Sequence, residues 1–179
     1  MYHLMTPRLV LTLSHPKLAK EVCSFHNRNK LVFADKEPLR PDSFYTVKGA
    51  RDNLRYDDRL SRKCQEFRFW IFEKGSKKII GTVCIGSILF GSVKSCFLSY
   101  KVDAAYQGKG YATEAVREVC DFAFNILQLH RIESYVMPRN AKSLRVMEKL
   151  GFENEGVSRR CLEVNGVWED HIRFSLLNE

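Results

Sequence analysis

The chain has 179 residues, of which 45% are apolar and 12% aromatic. This length fits one domain, residues 1–179, and the apolar content suffices for a packed core, which excludes extensive disorder. No apolar run approaches the length of a membrane span, and the first eight residues lack the basic-then-apolar order of a signal peptide. We therefore expect a cytosolic protein with no membrane partner.

The chain is basic, with 29 Lys and Arg against 21 Asp and Glu and a formal net charge of +8. Such a charge suits an anionic partner, either a phosphorylated cofactor or RNA, and it equally suits a surface that only keeps the protein in solution. The six cysteines form no C-x-x-C pair and no metal-ligand pattern with histidines. We expect reduced cysteines and no metal site.

The first half of the chain predicts a strand followed by two helices. Apolar and more polar residues alternate over 9–13, which is typical of a half-buried strand. A helix is predicted over 17–28, after a Ser-His-Pro start signal. Two prolines predict a loop over 36–42, and a polar helix follows over 43–65.

The second half predicts a meander of three strands, then a helix, a strand, a helix and a hairpin. Alternation and β-branched residues mark the strands, and apolar residues at helical spacing mark the helices. The predicted elements are strands over 67–71, 78–89 and 95–102, a helix over 113–129, a strand over 132–137, a helix over 141–150, and strands over 152–164 and 167–177. Asn165-Gly166 is a strong hairpin signal, and Gly151 suits a left-handed helix end.

The segment Gln107-Gly108-Lys109-Gly110-Tyr111-Ala112 lies between a predicted strand and a predicted helix. Its glycines leave backbone N–H groups accessible, and the helix N-terminus adds unpaired donors with a partial positive charge. Together they predict a seat for phosphate oxygens. The segment is not a P-loop, since the upstream glycine and the final hydroxyl are missing, and Thr113 breaks the dinucleotide fingerprint.

Four segments resemble the GNAT superfamily of acyl-CoA-dependent N-acetyltransferases. Gln107-x-x-Gly110-x-Ala112 is similar to its Q/R-x-x-G-x-G/A signature, and Arg139-Asn140-x-x-Ser143-x-x-x-Met147-Glu148-Lys149-x-Gly151-Phe152 to its second cofactor segment. Thr6-Pro7-Arg8-Leu9-x-Leu11 and Val164-Asn165-Gly166-x-Trp168-x-Asp170-His171 resemble the Rim-type branch, which acetylates the N-termini of ribosomal proteins. The segments occur in the family's order and span nearly the whole chain.

The resemblance implies an α+β GNAT fold, with a mixed, mostly antiparallel sheet of about seven strands and helices on both faces. The sheet is expected to splay where 99–102 faces 132–137, and the pantetheine arm of acetyl-CoA is expected to pair with 99–102. The cofactor pyrophosphate would bind to residues 107–112, which we call the glycine loop. The implied cofactor-binding residues are Tyr100, Val102, Gln107, Gly108, Lys109, Gly110, Tyr111, Ala112, Thr113, Asn140, Ser143 and Met147.

Direct acetyl transfer in a ternary complex needs a neutral amine, donors for the oxyanion and a proton donor for the thiolate. Many family members carry a tyrosine where this chain has Met147, which cannot donate a proton. Ser143, one helical turn earlier, is the candidate donor, against a helix serine that bonds only to the backbone. Glu163 and His171 are candidate bases, against an exposed strand glutamate and a structural pairing of His171 with Asp170.

The expected activity is acetylation of a primary amine, with a protein N-terminal α-amine, such as that of a ribosomal protein, as the favoured acceptor. The pKa of an α-amine is about 7.7–8.0, so it is partly neutral at cytosolic pH. A small-molecule amine, an antibiotic or a lysine side chain remains an alternative acceptor. A non-catalytic module that binds acyl-CoA or RNA is the alternative to an enzyme, although nucleic acid is not expected as a direct substrate. A homodimer is left open.

Overall fold

The computed structural model describes residues 2–179, in which eight strands and four α-helices alternate along the chain. The strands are β1 (His3–Met5), β2 (Leu9–Leu13), β3 (Phe67–Glu73), β4 (Ile79–Leu89), β5 (Ser95–Val102), β6 (Arg131–Val136), β7 (Glu153–Val164) and β8 (Val167–Leu177). The helices are α1 (Ala19–Phe33), α2 (Val47–Arg62), α3 (Tyr111–Asp121) and α4 (Ala141–Lys149). Between residues 2 and 179, no helix is both long and apolar enough to cross a membrane.

The strands form one sheet in the order β1-β2-β3-β4-β5-β6-β8-β7. Every neighbouring pair is antiparallel except β5 and β6, which run parallel. The predicted mixed, mostly antiparallel sheet is therefore confirmed, with eight strands where the sequence predicted about seven. The additional strand is β1, which pairs with β2 from His3 to Met5; three residues are too few to show a strand periodicity.

Helices cover both faces of the sheet, as predicted. On one face α3 and α4 pack on a core that includes Phe69, Ile132 and Met147. On the other face α1 and α2 pack on β3 and β4 around Phe25 and Trp70. The neighbours Phe69 and Trp70 belong to different cores because successive strand residues point to opposite faces.

Helix ends differ from the predictions where tertiary contacts extend or break the local pattern. Helix α1 continues five residues beyond 28, because Asn29 and Phe33 are also buried against the sheet. The predicted helix 43–65 begins instead as a 3-10 turn over Asp42–Tyr45, and the Thr46 hydroxyl then caps α2. The predicted helix 113–129 starts at Tyr111 and ends in a π-helical turn over Phe122–Ile126.

Strands β5 and β6 part halfway along their length. They pair at Ser95, Cys96 and Phe97, and the Ser134 hydroxyl then donates to the Leu98 carbonyl oxygen at 3.1 Å. Beyond that point, no pairing between Ser99–Val102 and β6 occurs in the part of the chain that the structure describes. Because β5 stays on β4 and β6 stays on β8, a wedge-shaped gap opens inside the sheet, and the predicted splay is confirmed.

The end of α4 allows a direct test of the backbone conformation at Gly151. Its φ is 77°, and a β-carbon added there would meet no atom within 4 Å. We expect Gly151→Ala to lower the free energy of unfolding by about 1 kcal/mol, since only the left-handed conformation opposes it. Gly151→Asn should cost less, because Asn tolerates this conformation better. Urea unfolding measures both variants, and equal losses would contradict this explanation.

Candidate active site

The glycine loop lies in the connection between β5 and the start of α3. Gly108 and Gly110 have φ of 77° and 81°, which a residue with a β-carbon adopts only under strain. Gly110 is the N-cap of α3, and no side chain of residues 2–179 caps this helix. The first N–H groups of α3 therefore remain available, and with the helix dipole they can bind a phosphate group.

The N-terminal segment Thr6–Arg8 holds this loop through one carboxylate. Glu114 in the first turn of α3 accepts hydrogen bonds from the Thr6 hydroxyl at 2.6 Å, the Arg8 backbone N–H at 2.9 Å and the Arg8 Nε at 2.6 Å. Arg8 Nη1 also donates to the Lys109 carbonyl oxygen at 3.0 Å. Burial acts to raise the pKa of Glu114, but these hydrogen bonds outweigh it and lower that pKa.

The structure shows that Glu114 joins α3 to the N-terminal segment. Its partners lie more than 100 residues away in sequence. The sequence offered one hint, because the Thr6-Pro7-Arg8 segment recurs as a family-like motif with no evident local role. A loop that binds phosphates must hold its N–H groups in place, and this network provides that rigidity.

Side chains also join the loop to the open edge of β5 and to α4. Gln107 Nε2 donates to the Val102 carbonyl oxygen at 3.1 Å, and Lys142 Nζ donates to Gln107 Oε1 at 2.7 Å. Asn140 Oδ1 accepts from the Ser143 backbone N–H at 3.3 Å and so caps α4. The expectation that Asn140 also bonds the cofactor arm stays a prediction.

Tyr100 and Ser143 meet at the floor of the gap. The Tyr100 hydroxyl donates to the Ser143 carbonyl oxygen at 3.3 Å, and burial raises the pKa of Tyr100 to about 12. Met147 is fully buried in the core between α4 and the sheet. The structure therefore places Met147 in the core, and the cofactor contact that the resemblance implies for it stays a prediction.

On the opposite face of the sheet, a partly buried ion pair joins β5 to the loop 34–41. Lys101 follows Tyr100 on β5 but points toward α1, with its Nζ 5.0 Å from the centre of the Phe33 ring. It binds Glu37 Oε1 at 2.5 Å. Burial lowers the pKa of Lys101, and the Glu37 carboxylate acts against that change. The Glu37 backbone carbonyl oxygen accepts a hydrogen bond from the Asn165 backbone N–H at 3.0 Å, which ties the loop 34–41 to the β7–β8 hairpin.

Arg139, between β6 and α4, fixes the same loop from the other side of the gap. Its Nη2 donates to the Asp35 carbonyl oxygen at 3.1 Å and to Glu169 Oε1 at 2.9 Å. The loop 34–41 is thus attached to β5, to the β6–α4 connection and to the hairpin. Because the loop bridges the two sides of the gap, we call the space between the loop and the gap the acceptor space.

The two candidate bases lie apart. His171 is 4% exposed, and its Nδ1 lies 3.1 Å from the Glu169 carbonyl oxygen. Glu163 is exposed and pairs across the hairpin with Trp168. Since Trp168 and His171 are three residues apart on β8, Glu163 and His171 belong to opposite faces of the hairpin. A role as base stays a prediction for each.

The alternative pairing of His171 with Asp170 was wrong. Asp170 Oδ1 instead accepts the Arg160 backbone N–H at 2.8 Å, where β7 departs from regular register. Adjacent residues on a strand point to opposite faces, so these two side chains could not meet across a regular β8. The family-like motif over 164–171 therefore contributes hydrogen bonds on both faces of the β7–β8 hairpin.

Comparison with known proteins decides the family. The sequence profile of the family described as "Acetyltransferase (GNAT) domain" matches residues 8–153. The chain belongs to the GNAT acetyltransferase family. This GNAT chain is 44% identical to the "Probable N-acetyltransferase YjcK" of Bacillus subtilis over 161 residues, which cover 89% of the chain and 88% of that relative.

Two solved structures extend the likeness of this GNAT chain. The ribosomal-protein-S5-alanine acetyltransferase from Vibrio fischeri is 33% identical, with a TM-score of 0.95, and the match covers 100% of the chain and 98% of that protein. Mycobacterium smegmatis RimJ in complex with CoA-disulfide is 27% identical, with a TM-score of 0.89, over 94% of the chain and 81% of that protein. The predicted resemblance to Rim-type enzymes is confirmed.

As a GNAT enzyme the chain is an N-acetyltransferase that uses acetyl-CoA, and both predictions are confirmed. The donor groups present fit this cofactor. The start of α3 offers N–H groups to a pyrophosphate, and the open edge 99–102 offers backbone donors and acceptors to the pantetheine amides. Acetyl-CoA supplies the acetyl group as a thioester. The individual cofactor contacts of the residues named from the sequence stay predictions.

The Glu114 network generates a prediction about cofactor affinity. Glu114→Gln removes charge-assisted hydrogen bonds to Thr6 and Arg8, so the loop should lose its fixed geometry. We expect the Kd for coenzyme A to rise about tenfold, since such a bond contributes ~1.5 kcal/mol or more. Isothermal titration calorimetry measures this, with Glu118→Gln, one turn further along α3, as the matched control. Equal Kd values for the two variants would contradict the assigned role.

Proposed function

We propose that the protein acetylates the N-terminal α-amine of a protein, such as a ribosomal protein, by direct attack on acetyl-CoA in a ternary complex. One observation carries the transfer chemistry: the wedge between β5 and β6 opens directly beside an uncapped helix N-terminus. The 33% sequence identity with the Vibrio fischeri ribosomal-protein-S5-alanine acetyltransferase, over the whole chain, supports this class of acceptor.

The open edge of β5 would serve both binding and chemistry. Backbone N–H groups of 99–102 that face the gap can hold the cofactor arm in extended form, as a strand partner would. A further N–H group aimed at the thioester carbonyl would stabilise the negative charge that develops on its oxygen during attack. Because these donors belong to a strand fixed by β4, they need no rearrangement during the reaction.

Direct transfer is favoured over a covalent acyl-enzyme because the three cysteines on β4, β5 and α3 are buried. Cys96, on β5 itself, is 1% exposed, and burial raises the pKa of its thiol to about 12. Burial likewise raises the pKa of Cys84 on β4 and of Cys120 on α3. A thiol with such a pKa stays protonated at neutral pH and is a poor nucleophile. These groups suit core packing.

The charges around the acceptor space favour an acceptor that carries a single amine. Asp35 and Glu169 are bound by Arg139, and Glu37 is bound by Lys101. With these carboxylates already paired, the loop 34–41 offers little attraction to a polycation such as spermidine. An α-amine needs little attraction, because its pKa of about 7.7–8.0 leaves a neutral fraction at pH 7. Water or one carboxylate can then accept its proton.

A second candidate acceptor is a small amine or an antibiotic, acetylated by the same chemistry. The observation that favours it is the attachment of loop 34–41 at three places, because a fixed loop suits a small acceptor of defined shape. A non-catalytic module that binds acyl-CoA or RNA has no such support, since the family is one of N-acetyltransferases.

A panel of acceptors tests the proposed function. We expect acetylation of a short peptide with an unblocked N-terminal alanine and no reaction of the same peptide with a blocked N-terminus. The rate should rise between about pH 7 and 8 as the α-amine loses its proton. Thiol release gives the rate, and mass spectrometry gives the site. Exclusive acetylation of spermidine or of lysine side chains would contradict the protein N-terminus as acceptor.

A further inference from the structure

Tyr100 occupies a special place on the open edge of β5. It lies within the segment that has left β6, and its ring packs on the core beneath α3 and α4. Its hydroxyl reaches the first turn of α4, 3.3 Å from the Ser143 carbonyl oxygen. The phenol therefore crosses from β5 to α4 along the floor of the gap in which the cofactor arm is expected.

The side chains of α4 that lie near Tyr100 make poorer hydrogen-bond donors than its phenol does. Met147, at the family's tyrosine position, has no proton to give and is fully buried. Ser143 has a hydroxyl, but an aliphatic alcohol is a much weaker acid than a phenol, whose reference pKa is about 10. The Tyr100 hydroxyl extends from β5 and reaches the same turn of α4 that carries Ser143. A phenol is thus present near the position where the sequence pattern shows none.

We propose that the Tyr100 hydroxyl is the hydrogen-bond donor to the sulfur that leaves during acetyl transfer. This inference rests on the direct transfer proposed above. The acceptor nitrogen forms a bond to the acetyl carbon, the carbon–sulfur bond breaks, and its electron pair stays on sulfur. The extra proton of the nitrogen goes to solvent, and the sulfur takes a proton from solvent as coenzyme A departs. Tyr100 stabilises the thiolate and keeps its own proton.

The state of Tyr100 agrees with this role. Burial raises the pKa of Tyr100 to about 12, above the ~8.5 of an ordinary thiol. The phenol therefore remains a donor across the neutral range and does not itself ionise when a thiolate forms beside it. Its hydrogen bond to the Ser143 carbonyl oxygen is long, at 3.3 Å, so turning the hydroxyl toward a sulfur gives up little.

Tyr100→Phe tests the proposal, because it removes the hydroxyl and keeps the ring that packs on the core. We expect kcat for acetylation of an alanine peptide to fall about 100-fold, with the Kd for coenzyme A nearly unchanged. The pKa of the bound coenzyme A thiol, read from the ultraviolet absorbance of its thiolate, should rise. Loss of a hydrogen bond to the sulfur raises this second value, whereas loss of a hydroxyl that does not contact the sulfur leaves it unchanged.

Two variants serve as comparisons. Tyr56→Phe removes a hydroxyl from an exposed ring on α2 and should change neither value. Ser143→Ala tests the donor expected from the sequence pattern. An unchanged kcat and thiol pKa in Tyr100→Phe, or both effects appearing in Ser143→Ala alone, would overturn the proposal. Weaker coenzyme A binding with an unchanged thiol pKa would assign Tyr100 a packing role instead, and overturn it equally.

The two proposals can fail separately. The thiol titration needs no acceptor, so it reports on Tyr100 even when no protein N-terminus is acetylated. Loss of peptide acetylation in the unchanged protein would contradict the proposed acceptor alone, and the kcat comparison would then use whichever amine in the panel is acetylated. Normal peptide acetylation by Tyr100→Phe would contradict the role of Tyr100 alone.

Discussion

The parting of β5 from β6 leaves those backbone N–H and C=O groups of Ser99–Val102 that face β6 without a strand partner, although the same residues pair with β4 on their other side. Backbone polar groups inside a protein are almost always paired, so such a gap persists only where something else binds them. An extended amide chain satisfies these groups as a strand would, and the arm of acetyl-CoA is such a chain. The glycine loop, α4, Tyr100 and Lys101 all derive their roles from their place around this gap.

Two consecutive residues of β5 attach its open edge to the layers on the two faces of the sheet. Tyr100 reaches α4 on one face, and Lys101 binds Glu37 on the other. Gln107 closes the end of the strand by bonding to the Val102 carbonyl oxygen. Because side chains alternate along a strand, two neighbours can connect a single open edge to two helical layers. The cofactor then enters a slot that is already formed, which limits the ordering cost of binding.

The sequence predicted the parts of this site that depend on local pattern. The glycine loop, its strand and helix and the Asn165-Gly166 hairpin each carry signals within a few residues, whereas the splay was expected from the family resemblance. The Glu114 network and the Lys101–Glu37 pair join residues 106 and 64 positions apart, and no periodicity or motif encodes their contact. The role proposed for Tyr100 was hidden for the same reason, since its hydroxyl meets α4 only after the sheet has folded.

Hydrogen exchange of the protein with and without coenzyme A measures the central claim most directly. If the open edge of β5 pairs with the cofactor arm, exchange should slow on binding in peptides that cover 99–102 and 108–113, with little change in β1 and β2. Protection of the glycine loop alone would mean that the phosphates bind without the arm entering the gap. Unchanged exchange over 99–102 at saturating coenzyme A would contradict the claim that this gap is the cofactor site.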